Sequence, residues 1–170
     1  MDETTLSLHP ILRKCWMKRG HQTRIPAAGQ QRLHHLFGAY NWRTDQVIWL
    51  ASEHKNTDAF IHFLEHFMRT VQTDKPIVLV LDNASYHHRA PAEAALAYFE
   101  DAGLVPCWLP PYCSICNLIE RFWAFLKTRT CANKLFASLS ALLATVTCCL
   151  HQQNDLTSPD RFLFLKSSLA

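Results

Sequence analysis

The stretch Ile77-Val-Leu-Val-Leu81 limits the choice of fold more than any other part of this chain. Five branched aliphatic residues follow one another with no polar position among them, between Pro76 and the pair Asp82-Asn83. A strand with one wet face alternates apolar and polar residues, whereas an unbroken apolar run reads as a strand covered on both faces. The run is too short for a buried helix, and Ile77, Val78 and Val80 are β-branched. Helices are therefore expected on both sides of its sheet, which points to an α/β architecture with this strand near the centre.

The rest of the chain supplies those helices. Residues 2–8 read as a strand in which Leu6 and Leu8 alternate with polar neighbours. Residues 9–31 look irregular, broken by Pro10, Gly20, Pro26 and Gly29. Leu33–Asn41 and Gln46–Ala51 are rich in β formers and flank the polar turn Trp42-Arg-Thr-Asp45, which predicts a hairpin. Asn56-Thr57-Asp58 is a helix-start signal, and behind it Phe60, Phe63, Leu64, Phe67, Met68 and Val71 recur at helical spacing. Pro91 and Gly103 bracket an Ala-rich helix over 91–102. Leu104–Leu109 is a short strand closed by Pro110-Pro111. Residues 117–129 form a helix with Ile119, Phe122, Trp123 and Leu126 on one side, and residues 138–152 form the last helix, with Leu139, Leu142, Leu143, Val146 and Leu150 as its face. The order predicts a mixed sheet with an antiparallel start and a parallel continuation, flanked by helices. That order resembles the RNase-H-like architecture, although order alone admits other mixed α/β folds.

At 170 residues, with 49% hydrophobic and 18% charged positions, the chain suits one well-cored domain. The expected division is a domain over 1–152 and a C-terminal tail over 153–170. No apolar run follows Met1-Asp2-Glu3 and none reaches the ~18 residues of a membrane span, so a cytoplasmic domain with no membrane partner is expected. The net charge of +3 hides an asymmetry. Between Thr4 and Thr44 there is no acid, while Arg13, Lys14, Lys18, Arg19, Arg24, Arg32 and Arg43 stand there. A basic arm on an otherwise acidic chain suits a polyanion, and the phosphate backbone of nucleic acid is the usual one; a solvated basic loop is the plainer reading. The seven cysteines show no secreted framework and are expected as thiols. Cys113 and Cys116 form a CxxC without a second pair. A zinc site would need Cys107 or His87 and His88 as well.

Acids are scarce in the apolar elements, so their positions are informative. Asp82 ends the most hydrophobic strand, and ligands in open α/β sheets bind at the carboxyl ends of strands. The competing reading is an Asx turn in Asp-Asn-Ala-Ser. Glu120 stands in the first turn of its helix, bordering an apolar face; a helix N-terminus also favours a carboxylate there. Asp2 and Glu3 are successive in a strand, so only one of them faces any given site, and on position alone a frayed, solvated terminus is the stronger reading of Asp2. If the first strand lies beside the 77–81 strand, Asp2 and Asp82 meet and Glu120 arrives from its helix. Three converging carboxylates repel one another unless divalent cations neutralise them. Hard oxygen ligands select Mg²⁺ or Mn²⁺, and two such ions serve phosphodiester chemistry.

These residues also carry a resemblance. Leu81-Asp-Asn-Ala-Ser-Tyr-His87, Leu109-Pro-Pro-Tyr112 and Asn117-Leu-Ile-Glu-Arg-Phe-Trp-Ala-Phe-Leu-Lys127 are similar to the DDE endonuclease domain of insertion-sequence transposases in the mariner superfamily. Asp2-Glu3, Leu8-His-Pro10, Trp16, Arg19-Gly20 and Phe37-Gly-Ala39 agree as well. The resemblance runs from Asp2 to about Leu150 and implies a catalytic triad of Asp2, Asp82 and Glu120 that is also the metal-ligand set. It implies two Mg²⁺ or Mn²⁺ ions, cleavage and strand transfer at transposon ends without a covalent enzyme intermediate, and double-stranded DNA, both ends and target, as partner. Synapsis of two ends implies a homodimer. The family carries a helix-turn-helix region before the first aspartate, so an N-terminally truncated transposase is expected. Arg13, Lys14, Lys18, Arg19, Arg24 and Arg32 are the candidate DNA contacts. The alternatives are a remnant that binds DNA or a partner without cutting, a nuclease or resolvase of the same fold, and a zinc-stabilised module. The CxxC reads better as variation inside the loop before Glu120. His87 and His88 are candidates for DNA or metal-bound water, against an exposed or locally bonded imidazole. Tyr112 stacks on a base or packs in its loop, and Lys127 and Arg129 meet phosphate or solvent.

Overall fold

The computed structural model describes residues 1–21, 24–26, 32–111 and 116–164. Strands β1 (Asp2–Ser7), β2 (Leu33–Asn41) and β3 (Gln46–Ser52) form an antiparallel sheet in the order β1-β2-β3. Helix α1 (Thr57–Thr70) leads to β4 (Ile77–Leu81), a 3-10 turn at Ser85–His88, α2 (Ala90–Asp101) and β5 (Leu104–Trp108). β4 and β5 pair in parallel, Ile77 opposite Leu104 and Leu81 opposite Trp108. Helices α3 (Ile119–Thr130) and α4 (Leu139–Asn154) complete the chain. The two sheets meet where the Met1 amino group donates to the Val80 carbonyl at 2.6 Å, so β1 runs beside β4. The mixed α/β architecture is the expected one, antiparallel first and parallel after.

Local chemistry explains the element ends. The Asn56 side chain accepts from Ala59 N at 3.0 Å and starts α1, and Ser138 does the same for α4 through Ala141 N at 3.1 Å. Pro91 lies in the first turn of α2. Gly103, with φ +91°, takes the left-handed conformation that ends it.

Alternation along the strands builds two cores. Phe37, Ala39, Leu79, Leu81 and Leu104 face α1 and α2, where Phe60, Phe63, Leu64 and Leu96 are buried. Leu6, Leu8, Leu36 and Val47 face α3 and α4, where Phe122, Trp123, Leu126 and Leu142 are buried. The second core stops short of β4 and β5: Val78 is 63% exposed and Val105 45%. The expectation that the 77–81 strand is covered on both faces is therefore corrected. Only Leu79 and Leu81 are sealed, because α3 and α4 pack over the antiparallel sheet alone.

Beyond α4, described residues around Phe162 pack back onto the body. Phe162 is buried against Tyr40, Phe122 and Phe125, and Arg161 donates to the Thr44 carbonyl at 2.9 Å in the hairpin turn. Among the described residues no helix is long and apolar enough to cross a membrane. The described cysteines, Cys15, Cys107, Cys116, Cys131, Cys148 and Cys149, are free thiols.

Candidate active site at the ends of β1, β4 and α3

Asp82 follows the last residue of β4. Its Oδ1 accepts from Ala84 N at 3.2 Å, so the Asx turn weighed against a functional role is present. The same oxygen lies 3.2 Å from His87 Nδ1, an ion-pair contact, while Nδ1 also lies 3.2 Å from the Asp82 carbonyl as its hydrogen-bond partner; the imidazole beside it holds the carboxyl below the usual range. The side chain is 41% exposed, and its second oxygen makes no hydrogen bond or ion pair among the described residues. Asn83 bonds the Leu109 carbonyl, while Leu109 N donates to Leu81 O at 2.8 Å, clasping the ends of β4 and β5 together.

Asp2 opens β1 opposite Gly38 of β2. Directly paired residues share a face, and a Cβ on Gly38 would lie 2.6 Å from Trp123 Cη2 of α3. Asp2 therefore faces α3. Burial, then the charges of Glu3 and Asp82, push its carboxyl up to about 7. Asp2 and Asp82 thus repel each other in this structure.

Glu120 stands in the first turn of α3, one turn before Trp123. The helix start is tied to β1: buried Asn117 donates through Nδ2 to the Met1 carbonyl at 3.1 Å, and its own carbonyl accepts from Glu120 N at 3.1 Å. The Glu120 side chain is exposed and makes no hydrogen bond or ion pair among the described residues. No group of three His, Cys, Asp or Glu among the described residues is gathered closely enough to hold a metal ion as it stands. The structure thus brings Asp2 and Asp82 within electrostatic reach and sets Glu120 at the adjoining helix start, without closing the three into one cluster. The donor set still fits a hard divalent cation: carboxylates at one end of the sheet, two of them repelling, with a free oxygen on Asp82. Two turns beyond Glu120, Lys127 is half-buried. Burial lowers its pKa, while Asp2 is among the charges that raise it.

Glu3 faces the other way and is the buried member of the pair. Its Oε1 lies 3.3 Å from His87 Nε2, and its Oε2 lies 3.3 Å from Lys55 Nζ. Burial disfavours the Glu3 carboxylate, but His87 and Lys55 outweigh it and hold the pKa down. The Tyr86 hydroxyl is buried against Glu3, feeling its charge but outside hydrogen-bond geometry. Burial opposes charge on His87 too. The bonds to Asp82 and Glu3 outweigh it and raise the pKa to about 9. Of the two readings for His87, the locally bonded imidazole is therefore the one found: the ring is fully buried. The sequence offered no sign of the Glu3–His87 bond, since 84 positions separate the partners. His88 is exposed, its ring centroid 4.5 Å from that of Trp108.

The basic candidates Arg13, Lys14, Lys18, Arg19, Arg24 and Arg32 are all exposed, as are Arg43 and the fully exposed Trp16. The arm is rooted where Ile11 bridges Ala132 and where Arg13 exchanges backbone bonds with the Asn133 side chain, at 2.9 and 3.0 Å. That root adjoins the end of α3 opposite Glu120. Arg129 is engaged by Asp160 at 2.8 Å. Tyr112 and Cys113 lie outside the described residues, so neither the stacking reading nor the CxxC is tested, and Cys116 is exposed.

The sequence matches the family described as DDE superfamily endonuclease over residues 1–143. It is 28% identical over 145 residues to the uncharacterized 39 kDa protein of insertion element IS630 from Shigella sonnei, covering 85% of this chain and 42% of that protein. The chain therefore spans less than half the length of this relative. Among solved structures, the Mos1 strand transfer complex superimposes with a TM-score of 0.67 at 15% identity, covering 96% of this chain and 48% of the Mos1 chain. The Mos1 transposase paired-end complex with left transposon end gives 0.60 at 12% identity, over 96% and 55%. At such identities the likeness is one of fold, and that fold is RNase-H-like.

Proposed function

This chain belongs to the DDE superfamily of endonucleases, and we propose that it is the catalytic domain of a transposase that cuts DNA at transposon ends and transfers the strands to target DNA. The observation that most supports this reading is the approach of Asp2 and Asp82 across the junction of β1 and β4, beside the start of the helix that carries Glu120. Membership in the family implies dependence on a divalent metal. Two Mg²⁺ or Mn²⁺ ions held by Asp2, Asp82 and Glu120 would supply activation of the attacking oxygen and stabilisation of the leaving oxygen in an in-line displacement at phosphorus. Asp82 offers its uncommitted oxygen while Ala84 N and His87 hold the other. Asp2 offers a carboxylate from a poorly solvated position, where a cation gains most from it. Lys127, on the same helix as Glu120, carries positive charge toward Asp2 and suits a phosphate oxygen beside the site. Arg13, Lys14, Lys18, Arg19, Arg24 and Arg32 bind the backbone of double-stranded DNA away from the cutting point. Joining two ends calls for a second copy, so the working unit is a homodimer in the cytoplasm, associated with DNA.

Nicking of supercoiled plasmid by the purified full chain, with Mn²⁺ or Mg²⁺ and with chelator, tests this. Metal-dependent nicking that disappears in Asp82→Ala and in Glu120→Ala is expected. Nicking that persists in both variants would assign the cleavage to other residues. DNA binding without any nicking would favour a protein that holds DNA but does not cut it.

A further inference from the structure

His87 touches the carboxylates of the site on two sides without being one of the ligands. Nδ1 lies 3.2 Å from Asp82 Oδ1 and 3.2 Å from the Asp82 carbonyl, and Nε2 lies 3.3 Å from Glu3 Oε1. A neutral imidazole has one N–H, so its other nitrogen would meet a carboxylate lone pair to lone pair. Both contacts are favourable only when the ring donates from both nitrogens. The ring is fully enclosed, with the Phe60 and Tyr86 centroids at 4.2 and 4.5 Å, and has no room to turn away. Lys55 Nζ lies 3.3 Å from the far oxygen of Glu3, an ion pair outside hydrogen-bond geometry. A line of contacts therefore runs Lys55, Glu3, His87, Asp82, from the edge of the site to the end of β4.

We propose that Glu3 and His87 are positioning residues: His87, held by Glu3, bonds the Asp82 carbonyl and pairs with Oδ1, which Ala84 N also bonds, so that Oδ2 is the oxygen Asp82 presents to a divalent cation. This deepens the metal-dependent reading above and rests on it. It also gives separate work to the two adjacent acids of β1. Asp2 faces the cation from the α3 side, and Glu3 acts from the opposite face through the imidazole. Partners that orient a ligating side chain carry about 10- to 100-fold in metal affinity.

The two ring nitrogens can be imitated one at a time. The amide nitrogen of asparagine falls near Nδ1 and keeps the contacts to the Asp82 carbonyl and Oδ1, whereas that of glutamine falls near Nε2 and keeps only the bond to Glu3. Mn²⁺ is titrated by calorimetry into the full chain, wild type and the variants Asp82→Asn, His87→Asn, His87→Gln and Glu3→Gln, with circular dichroism on each to establish folding. The expected order is saturable binding in the wild type, none in Asp82→Asn, affinity nearer the wild type in His87→Asn, and a loss of about 10- to 100-fold in His87→Gln. A ring that only filled space would favour glutamine, the closer in volume, and would reverse the last two. Equal affinities for the two folded histidine variants, or the reversed order, overturn the proposal. Should either fail to fold, Glu3→Gln decides: weakened Mn²⁺ binding supports the proposal and wild-type affinity overturns it. A wild type that binds no Mn²⁺ would sink the metal-dependent reading itself, a result distinct from a wild type that binds while its clamp variants are unaffected.

Discussion

Gly38 shows how one missing side chain shapes this site. It pairs with Asp2 across β1 and β2, and a Cβ there would lie 2.6 and 2.7 Å from two ring atoms of Trp123. Helix α3 can sit this close to the sheet only because nothing intervenes. Gly38→Ala is expected to cost about 1–3 kcal/mol through overpacking. Denaturant unfolding of the cycle with Trp123→Phe, which removes the clashing atoms, should show the double variant losing less than the sum of the singles. Strict additivity would mean that the approach is not tight. The indole N–H of Trp123 is buried with no hydrogen-bond partner among the described residues, so Trp123→Phe also removes an unpaired donor. Among single residues, Asp82 was legible in the sequence because it ends an apolar run, where a charge needs a reason. Glu3 was not, because its reason is His87 on another element.

Helix starts carry the next set of expectations. Asn56 caps α1, away from the carboxylates, whereas Asn117 joins the start of α3 to the Met1 carbonyl. Asn56→Ala should lose about 1 kcal/mol of stability and leave Mn²⁺ affinity unchanged. Asn117→Ala should lose about 1–3 kcal/mol, since a buried carbonyl is left without its donor, and should weaken Mn²⁺ binding because Glu120 is no longer held beside β1. Thermal melts and calorimetry on the same samples separate the two; a matched loss of metal affinity in both would refute the separate roles. Strands and helices were readable from periodicity to within a residue or two, from β1 to α4. The 3-10 turn at Ser85–His88 was not, because its geometry follows from burying His87 rather than from local propensity. The cover over β4 was misjudged for a related reason. An apolar run shows that a strand avoids water, but not which neighbour covers each face, and Val78 remains open.

For the molecule as a whole, charge and chemistry are set apart. The basic arm leaves the body beside Ala132 and Asn133, at the end of α3 away from Glu120. A helix of 12 residues separates the two by about 18 Å. DNA gripped by the arm would thus extend along α3 toward the carboxylates. Replacing Arg13, Lys14, Lys18 and Arg19 together with alanine should flatten the salt dependence of DNA binding. Each phosphate that the arm no longer neutralises should reduce the slope by up to about 0.9 log units per log of salt. Mn²⁺ affinity should be unchanged. Fluorescence anisotropy on a duplex across a salt series reads the slope, and an unchanged slope would mean that the arm does not bind DNA.

Taken alone, the order of residues was enough for the succession of elements, the mixed α/β class and the three acids at element ends. Each of these is local: it depends on spacing along a few turns or a few strand positions, which the side chains in that window already specify. The fold then added what local patterns do not contain. It placed β1 beside β4 through Met1 and Val80, brought α3 down onto Gly38, and joined Glu3 to Asp82 through a buried imidazole. These contacts link residues 79, 85 and 84 positions apart in the chain, where sequence spacing says nothing about distance. Buried polar groups find their partners only when the cores have closed around them, so the site's inner supports are a property of packing.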